Sequence, residues 1–152
     1  MGNFTSLPGT NERVARHTSN STNAHIRYAM FKRVAEYEYA DPAAIEERIE
    51  TLRREWDIER VLEANAASVA LVGIALGASV DRRWFALPAI VAGFLLQHAV
   101  QGWCPPLPLF RKLGVRTAVE IHEEIVALKA LRGDFDLHEV EAHNAVRAAY
   151  LG

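Results

Sequence analysis

The feature that most constrains this chain is an apolar stretch in its middle third that carries almost no charge. Between Ala66 and Phe110 the only formally charged residues are Asp81, Arg82 and Arg83. This triplet divides the stretch into two apolar segments, residues 66–80 and 84–103. Two apolar segments joined by a short charged connection are typical of a helical hairpin that crosses a membrane, so we expect an all-α fold built around such a hairpin.

The lengths of the two segments favour the membrane interpretation unequally. Trp84 and Trp103 lie roughly 28 Å apart along a helix, close to the ~30 Å hydrocarbon core of a bilayer, and Trp is enriched at both interfaces. The first segment reaches only about 22 Å, so we expect it to extend back through Val61 and Leu62. A buried hairpin of a soluble helical bundle is the alternative that the pattern leaves open.

Small residues recur at a spacing that allows membrane helices to approach each other closely. Gly73 and Gly77 form a GxxxG pattern in the first segment, and Ala89 and Gly93 repeat the spacing in the second. In a soluble helix each glycine would cost about 1 kcal/mol relative to alanine. We therefore predict that these four residues occupy helix-packing positions.

The apolar stretch organises the chain into four segments. We predict a disordered polar tail over residues 1–23, rich in Ser, Thr and Asn, and an amphipathic helical arm over residues 24–57. Residues 58–117 form the hairpin with a Cys-Pro segment, and residues 118–152 form a C-terminal helical arm ending in a helix to about Tyr150. The flanking arms are expected to be amphipathic cytoplasmic helices.

The first arm contains two predicted helices. Asn23 is expected to cap the first, which runs to about Tyr39 with a stripe formed by Ile26, Met30, Val34 and Tyr37. Because Arg27, Lys32 and Arg33 make this helix basic, its stripe either lies on an anionic membrane surface or packs on the next helix.

The second helix of this arm has a clear start. Asp41 is an N-cap residue, and Pro42 suits the first helical position. The apolar stripe that follows needs a partner, either elsewhere in this chain or in a second copy, and consists of Ile45, Ile49, Leu52 and Trp56. This helix can continue directly into the apolar stretch, although Asp57 offers a restart point.

A family resemblance appears where the apolar hairpin ends. Gly102-Trp103-Cys104-Pro105 is followed by Leu113-Gly114-Val115-Arg116-Thr117. A hairpin, then Gly-x-Cys-Pro, then Leu-Gly-x-x-Thr resembles the YgaP-like inner-membrane domain, a bacterial family of unknown function, over about residues 58–117. In some relatives the hairpin follows a rhodanese domain, which carries sulfane sulfur on a cysteine. The short N-terminal arm leaves no room for one here, so any sulfur chemistry that the resemblance implies rests on Cys104.

Flanking charge predicts the orientation of the hairpin. Seven basic residues flank the two segments, against two in the connection, and positive flanks face the cytoplasm. The seven are Arg48, Arg53, Arg54, Arg60, Arg111, Lys112 and Arg116. We therefore expect an inner-membrane protein with both termini in the cytoplasm and the lipid bilayer as its first partner.

Few residues are candidates for chemistry. Cys104 is a candidate functional thiol, but it follows a helix C-terminus, the end of the dipole that disfavours a thiolate. Gln97, His98 and Gln101 are polar residues inside a predicted membrane segment, which makes them functional candidates or simply interfacial groups. His98 and Cys104 supply two metal ligands at most, so we predict no metal site.

The remaining histidines do not form a recognisable motif. His138 and His143 are five residues apart rather than four, so they fail the zinc pattern H-E-x-x-H. His122, Glu123 and Glu124 are predicted to lie on a solvated helix face. We identify no catalytic residue and no cofactor, and the net charge of −2 gives no reason to expect a nucleic-acid partner.

Three functional hypotheses follow. The first is a non-enzymatic membrane scaffold that forms a homodimer or recruits an unidentified membrane or cytoplasmic protein through the Ile45, Ile49 and Leu52 stripe and the Gly73–Gly77 pair. The second is an accessory protein of sulfur or redox metabolism that uses Cys104. The third is a soluble helical-bundle binding module.

Overall fold

The computed structural model describes residues 9–135, and every regular element among them is a helix, as the sequence predicted. The seven α-helices are α1 (Arg13–Arg16), α2 (Asn20–Ala35), α3 (Pro42–Arg53), α4 (Ile58–Ser79), α5 (Ala86–Gln101), α6 (Leu107–Lys112) and α7 (Ala118–Arg132). One turn of 3₁₀-helix, Arg82–Phe85, connects α4 and α5. The predicted last helix to Tyr150 lies outside the described residues.

The chain forms two compact units that are not consecutive in sequence. The first unit, which we call the hairpin unit, combines the described residues up to Arg27 with Trp56–Val119. The second, the arm unit, combines Tyr28–Glu55 with the described residues from Glu120 to Phe135. The segment predicted as a first arm therefore shares a unit with the C-terminal arm.

In the hairpin unit, local capping determines where the apolar helices begin and end. Asp57 starts α4 by accepting a hydrogen bond from the Arg60 backbone N–H at 2.9 Å, which is why α3 does not continue into α4 as one long helix. Asp81 caps the 3₁₀ turn through the Arg83 backbone N–H at 2.8 Å. Gly102, with a φ of +80°, ends α5 in the left-handed conformation.

The core of the hairpin unit lies where α1, the start of α4 and the segment after α5 meet. Its buried residues are Val14, Ile58, Leu62, Cys104 and Leu107, with Phe110 and Val115 packed against them. The backbone N–H of Ile58 donates to the Arg116 carbonyl at 2.7 Å. The apolar lengths of α4 and α5 therefore extend away from a small core at one end.

Residues 9–23, which composition predicts as part of a disordered tail, contain α1 and the start of α2. Val14 is buried in the core, and the Thr18 hydroxyl donates to the Val14 carbonyl at 2.8 Å. The Asn23 side chain donates to the Ala15 carbonyl at 2.9 Å, so it does not begin α2; the Ser19 hydroxyl accepts from the Thr22 N–H instead. One buried valine and a few polar side chains order a segment whose composition predicts disorder. Residues 1–8 lie outside the described part.

In the arm unit, the apolar stripe of α3 finds its partner within the same chain. Ile45, Ile49 and Leu52 are buried against Ile121 and Leu128 of α7. Asp41 caps α3 by accepting from the N–H groups of Ala43 and Ala44 at 2.7 and 3.0 Å. Trp56 is not part of this stripe, because α3 ends at Arg53; its ring lies under the guanidinium of Arg60.

Two stretches of the described chain are long and apolar enough to cross a membrane by length and composition. The first ends with α4 at Ser79, and the second is Arg82–Gln101. Helix α4 has 22 residues, and at 1.5 Å per residue this corresponds to about 33 Å. Of the 18 residues in the apolar part of each stretch, only 22% are buried in the first and 6% in the second. Both helices therefore leave most of their apolar surface uncovered.

Candidate functional site: the polar end of the α4–α5 pair

A cluster of charged side chains joins the start of α4, the end of α5 and helix α1. His98 Nε2 lies 2.9 Å from Glu59 Oε2, and Arg13 Nη2 donates to Glu59 Oε1 at 2.9 Å. Arg13 Nη1 also donates to the Ala99 carbonyl at 3.1 Å, near the negative end of the α5 dipole. One carboxylate and one guanidinium thus connect three elements at a single end of the helix pair.

The His98 ring is enclosed at this contact. The side chain of His98 is only 5% exposed, and a carboxylate at Glu59 accepts a hydrogen bond from Nε2 when that nitrogen carries a hydrogen. His98 Nδ1 and Arg13 Nε are buried and have no hydrogen-bond partner in the described part of the chain. Unpaired buried nitrogens cost about 1–3 kcal/mol each, so this cluster is a fixed but imperfectly satisfied network.

Helix α1 approaches the end of α5 so closely that only glycine fits at the contact. A Cβ placed on Gly102 would lie 2.5 Å from the Cβ of Arg13 and 2.9 Å from its backbone carbon. The positive φ of Gly102 imposes the same requirement independently. This contact holds Arg13 at the position from which it reaches Glu59.

Cys104 lies next to this cluster but is poorly suited to nucleophilic chemistry. Its residue is 4% exposed, and it packs with Val14, Ile58 and Leu107. Burial raises the pKa of the Cys104 thiol; the Leu107 backbone N–H opposes this in part, and the charge of Glu59 adds a smaller increase. The neutral thiol therefore predominates at neutral pH, whereas reactive cysteines have a lowered pKa.

An apolar cleft of about 410 Å³ opens beside Cys104 between α4 and α5. Asn65 is the one residue with a polar side chain in its lining apart from the thiol; the full set is Leu62, Asn65, Ala66, Val69, Val91, Phe94, Leu95, Cys104, Pro105 and Pro106. With so few polar groups, the cleft is suited to a hydrocarbon chain and offers little to fix a polar substrate.

The structure brings only one of the three predicted intramembrane polar residues into the cluster. His98 is buried and contacts Glu59, whereas Gln97 is half-buried and Gln101 is exposed. Among residues 9–135 neither glutamine side chain makes a hydrogen bond. The physical reason is angular: successive helical residues differ by about 100°, so Gln97 points away from the face that carries His98.

The predicted small residues also separate into two groups. Gly73 and Gly77 are buried, and a Cβ placed on Gly73 would lie 2.7 Å from Pro88 Cδ, while one on Gly77 would lie 2.8 Å from the ring of Phe85. Ala89 and Gly93 are exposed, and a Cβ at Gly93 would meet nothing within 4 Å. The close approach is therefore between the glycines of α4 and larger residues, one just before α5 and others in its first turn.

Sequence reasoning missed Arg13 and Glu59 because neither belongs to a motif. It also missed Arg111, which is buried and donates to Thr18 Oγ1 at 3.2 Å, Asn23 Oδ1 at 3.0 Å and the Val115 carbonyl at 3.0 Å. An acid at the start of one predicted membrane helix opposite a histidine near the end of the next was an available signal for the Glu59–His98 pair.

In the arm unit, one predicted surface residue is buried. The prediction of a solvated face for His122, Glu123 and Glu124 is wrong for Glu124, whose side chain is 1% exposed. Arg48 Nη2 donates to Glu124 Oε1 at 2.7 Å, and Arg33 Nη2 donates to Oε2 at 3.1 Å. These two arginines compensate the buried carboxylate, an arrangement that helical periodicity alone does not reveal. His138 and His143 lie outside the described residues.

The described residues contain no group of three or more His, Cys, Asp or Glu side chains that could hold a metal ion. His98 and Cys104 remain a pair of potential ligands without a third. Comparisons with the models of known protein families, with curated proteins and with solved structures find no match to this chain. The resemblance to the YgaP-like family therefore stays a prediction that rests on the residues quoted for it.

Proposed function

We propose that α4 and α5 form a transmembrane hairpin and that the chain is a small, non-enzymatic membrane scaffold or interaction protein. The observation that carries this proposal is the exposure of the two apolar helices. A core helix of a soluble protein is mostly buried, whereas the apolar windows of these helices are 22% and 6% buried. A bilayer covers such a surface without a further protein layer.

The uncovered side chains are large and continuous along both helices. They include Leu71, Val72, Ile74, Ile90, Phe94, Leu95, Leu96 and Val100, all exposed. Apolar patches larger than a few hundred Å² on a soluble monomer mark a protein or membrane contact. The third hypothesis, a soluble binding module, requires a partner that covers both helices completely.

The distribution of polar groups supports the same assignment. Glu59, His98 and Arg13 lie at one end of the helix pair, and Asp81, Arg82 and Arg83 lie at the other. The apolar surface between them spans about 30 Å, the thickness of a hydrocarbon core. Trp84, 44% exposed in the 3₁₀ turn, would lie at the interface, where Trp is favoured.

The orientation that this proposal adopts has both termini at the cytoplasmic face of an inner membrane. Basic residues near the Glu59 end, among them Arg60 and Lys112, outnumber the two in the α4–α5 connection. The resemblance to an inner-membrane family agrees with this direction. In this orientation Cys104 and its cleft lie near the cytoplasmic interface.

A scaffold needs a surface for its partner, and the available surface is not the one first expected. The stripe of Ile45, Ile49 and Leu52 is covered by α7 and cannot recruit a partner without opening the arm unit. Ala89 and Gly93 remain exposed on α5, where small residues permit close contact with a membrane helix. The alternative role in sulfur or redox metabolism is disfavoured by the burial and raised pKa of Cys104.

Membrane extraction of two matched leucine variants tests the hairpin. Leu96 on α5 and Leu113 after α6 are 67% and 70% exposed, so replacing either with arginine is nearly neutral in a soluble protein. In a bilayer, arginine costs about 2.5–3.5 kcal/mol at the helix centre on insertion scales, and part of that cost applies at Leu96, two residues from the His98 end. We expect the native chain and Leu113→Arg to resist an alkaline carbonate wash, and Leu96→Arg to be partly extracted.

Two results would contradict the proposal. One is a native chain that leaves the membrane pellet without detergent. The other is a Leu96→Arg variant that resists extraction as well as Leu113→Arg does. For the role, a scaffold retains its associations after Cys104→Ala, whereas a persulfide or mixed disulfide found on Cys104 by mass spectrometry would support the sulfur alternative.

A further inference from the structure

Helix α2 has apolar residues on two opposite faces, and only one of them is covered. Ile26 and Met30 are buried, so the apolar stripe predicted from the sequence packs within the protein rather than on lipid. On the other side, Ala24, Tyr28, Phe31 and Ala35 repeat at spacings of four, three and four, and all four are exposed. A helix on a protein surface normally presents polar residues there.

The exposed stripe is dominated by two aromatic side chains. Tyr28 and Phe31 are 69% and 66% exposed, which leaves most of both rings without protein contact. Tyrosine and phenylalanine favour the boundary between lipid headgroups and acyl chains. The stripe therefore resembles the lipid-facing side of a helix that lies in a membrane interface.

Basic residues border this stripe on both sides. At 100° per residue, Arg27 lies to one side of the Tyr28–Phe31 line and Lys32 to the other. Both are exposed, and neither has an ion-pair partner within residues 9–135. The sixteen residues of α2 include no acid, although Glu36 and Glu38 follow in the next turn.

We propose that this face of α2 lies on an anionic membrane surface. Tyr28 and Phe31 enter the headgroup region, and Arg27 and Lys32 bind the lipid phosphates beside them. This geometry matches an interfacial helix, in which apolar side chains point into the lipid while basic stems at the edges keep their charges at the headgroups. Each basic residue near an anionic surface adds electrostatic attraction.

Charge favours a membrane over a second copy of the chain as the occupant. A symmetric contact between two copies uses the same face twice. It would bring two pairs of uncompensated bases together without an acid from either α2, and like charges at an interface oppose association. An anionic lipid surface supplies the opposite charge and covers the aromatic rings at once.

The inference rests on the proposed function in one respect, because an inserted hairpin tethers α2 close to the membrane. Tethering makes the second contact intramolecular, so a weak surface interaction suffices. The two claims are separable, however, since a hairpin can span the bilayer while α2 stays in water. The experiment therefore reports on both helices in the same preparation.

Spin labels at three positions of the full chain, in nanodiscs and with Cys104→Ala as background, test the inference. Leu96→Cys reports on the hairpin, Ala35→Cys on the exposed stripe, and Ala43→Cys is a matched exposed alanine on α3. Accessibility to oxygen and to a water-soluble nickel chelate measures the depth of each label. Nanodiscs of phosphatidylcholine alone are compared with discs that also contain phosphatidylglycerol.

We expect the label at position 35 to become several-fold less accessible to the chelate in anionic discs only. The double variant Arg27→Glu with Lys32→Glu should abolish that difference, and the label at position 43 should not respond.

Equal chelate access at position 35 in both lipids, with position 96 inserted, overturns the inference alone. Chelate access at position 96 overturns the proposed function. A third result is a label at position 35 that is shielded from the chelate equally in both lipids and shows spin–spin broadening. That result assigns the face to a second copy of the chain and overturns the inference.

Discussion

The two units of this protein differ in where they place large apolar side chains: the arm unit buries them, and the helices α4 and α5 of the hairpin unit expose them. In the arm unit, α3 buries Ile45, Ile49 and Leu52 and exposes charged residues, which is the ordinary arrangement in water. Along α4 and α5 of the hairpin unit, the small residues Gly73 and Gly77 are inside and the large residues are outside. The comparison teaches that one chain can follow two packing rules. The proposed membrane location accounts for the second, because water rewards burial of apolar area, whereas lipid would leave close contact as the main attraction between helices.

The largest expected effect compares two isoleucines in helix interiors. Ile49 is fully buried in the arm unit, and Ile90 is 55% exposed on α5. Replacing a buried isoleucine with alanine costs about 2–5 kcal/mol, which corresponds to a roughly 30-fold or larger loss of amide protection. We expect hydrogen exchange of the full chain in detergent to show this loss in α3 for Ile49→Ala. Ile90→Ala should leave the protection of α5 nearly unchanged; equal losses would show that both helices pack as soluble cores.

A smaller effect is expected from two glycines in the helix pair. A side chain at Gly73 would collide with Pro88 and Leu87, and neither the proline ring nor the Cβ of Leu87 can move far. Overpacking of this kind costs about 1–3 kcal/mol. Thermal unfolding in detergent should show Gly73→Leu destabilised relative to the native chain. Gly93→Leu is the matched control, since its Cβ meets no neighbour; a similar loss there would mean that α5 has a partner on that face.

The smallest expected effect concerns the thiol and leaves the fold unchanged. Because its folded pKa is raised, Cys104 favours folding below the ordinary thiol pKa and loses that contribution as the pH rises through the raised value. Alkylation by a neutral maleimide should therefore be slow at neutral pH and accelerate only at higher pH than for a free thiol. Leu113→Cys in a Cys104→Ala chain supplies the exposed comparator, and equal rates would indicate an accessible, reactive Cys104.

The comparison between units also explains which parts of the fold were predictable. Helix starts at Asp41 and Asp57 are local signals, because an N-cap and the helix that it caps lie within a few residues of each other. The all-helical class and the two apolar helices followed from periodicity and length. The order of residues 9–23 did not, because Val14 is anchored by residues from Ile58 onward and nothing near it in sequence indicates that contact.

The candidate site was predictable only in part. His98 was identified because a polar residue in an apolar segment is conspicuous. Its partner Glu59 was missed because it lies 39 residues from His98, and Arg13 was missed because it lies 46 residues from the Glu59 that it binds; no motif links the three residues. The burial of Glu124 was missed for the same reason. An acid between other polar residues is expected to be exposed to solvent, and the two arginines that compensate its charge come from other helices.

The sequence by itself determined the all-helical class, the cap at Asp41 and the presence of two helices apolar enough for a membrane, because each depends on residues within one segment. The tertiary structure decided which faces are covered: the α3 stripe is buried by α7, Gly73 and Gly77 face larger side chains, and the stripe at Tyr28 and Phe31 stays open. The physical reason is that periodicity defines a face, whereas only long-range contacts define what that face meets.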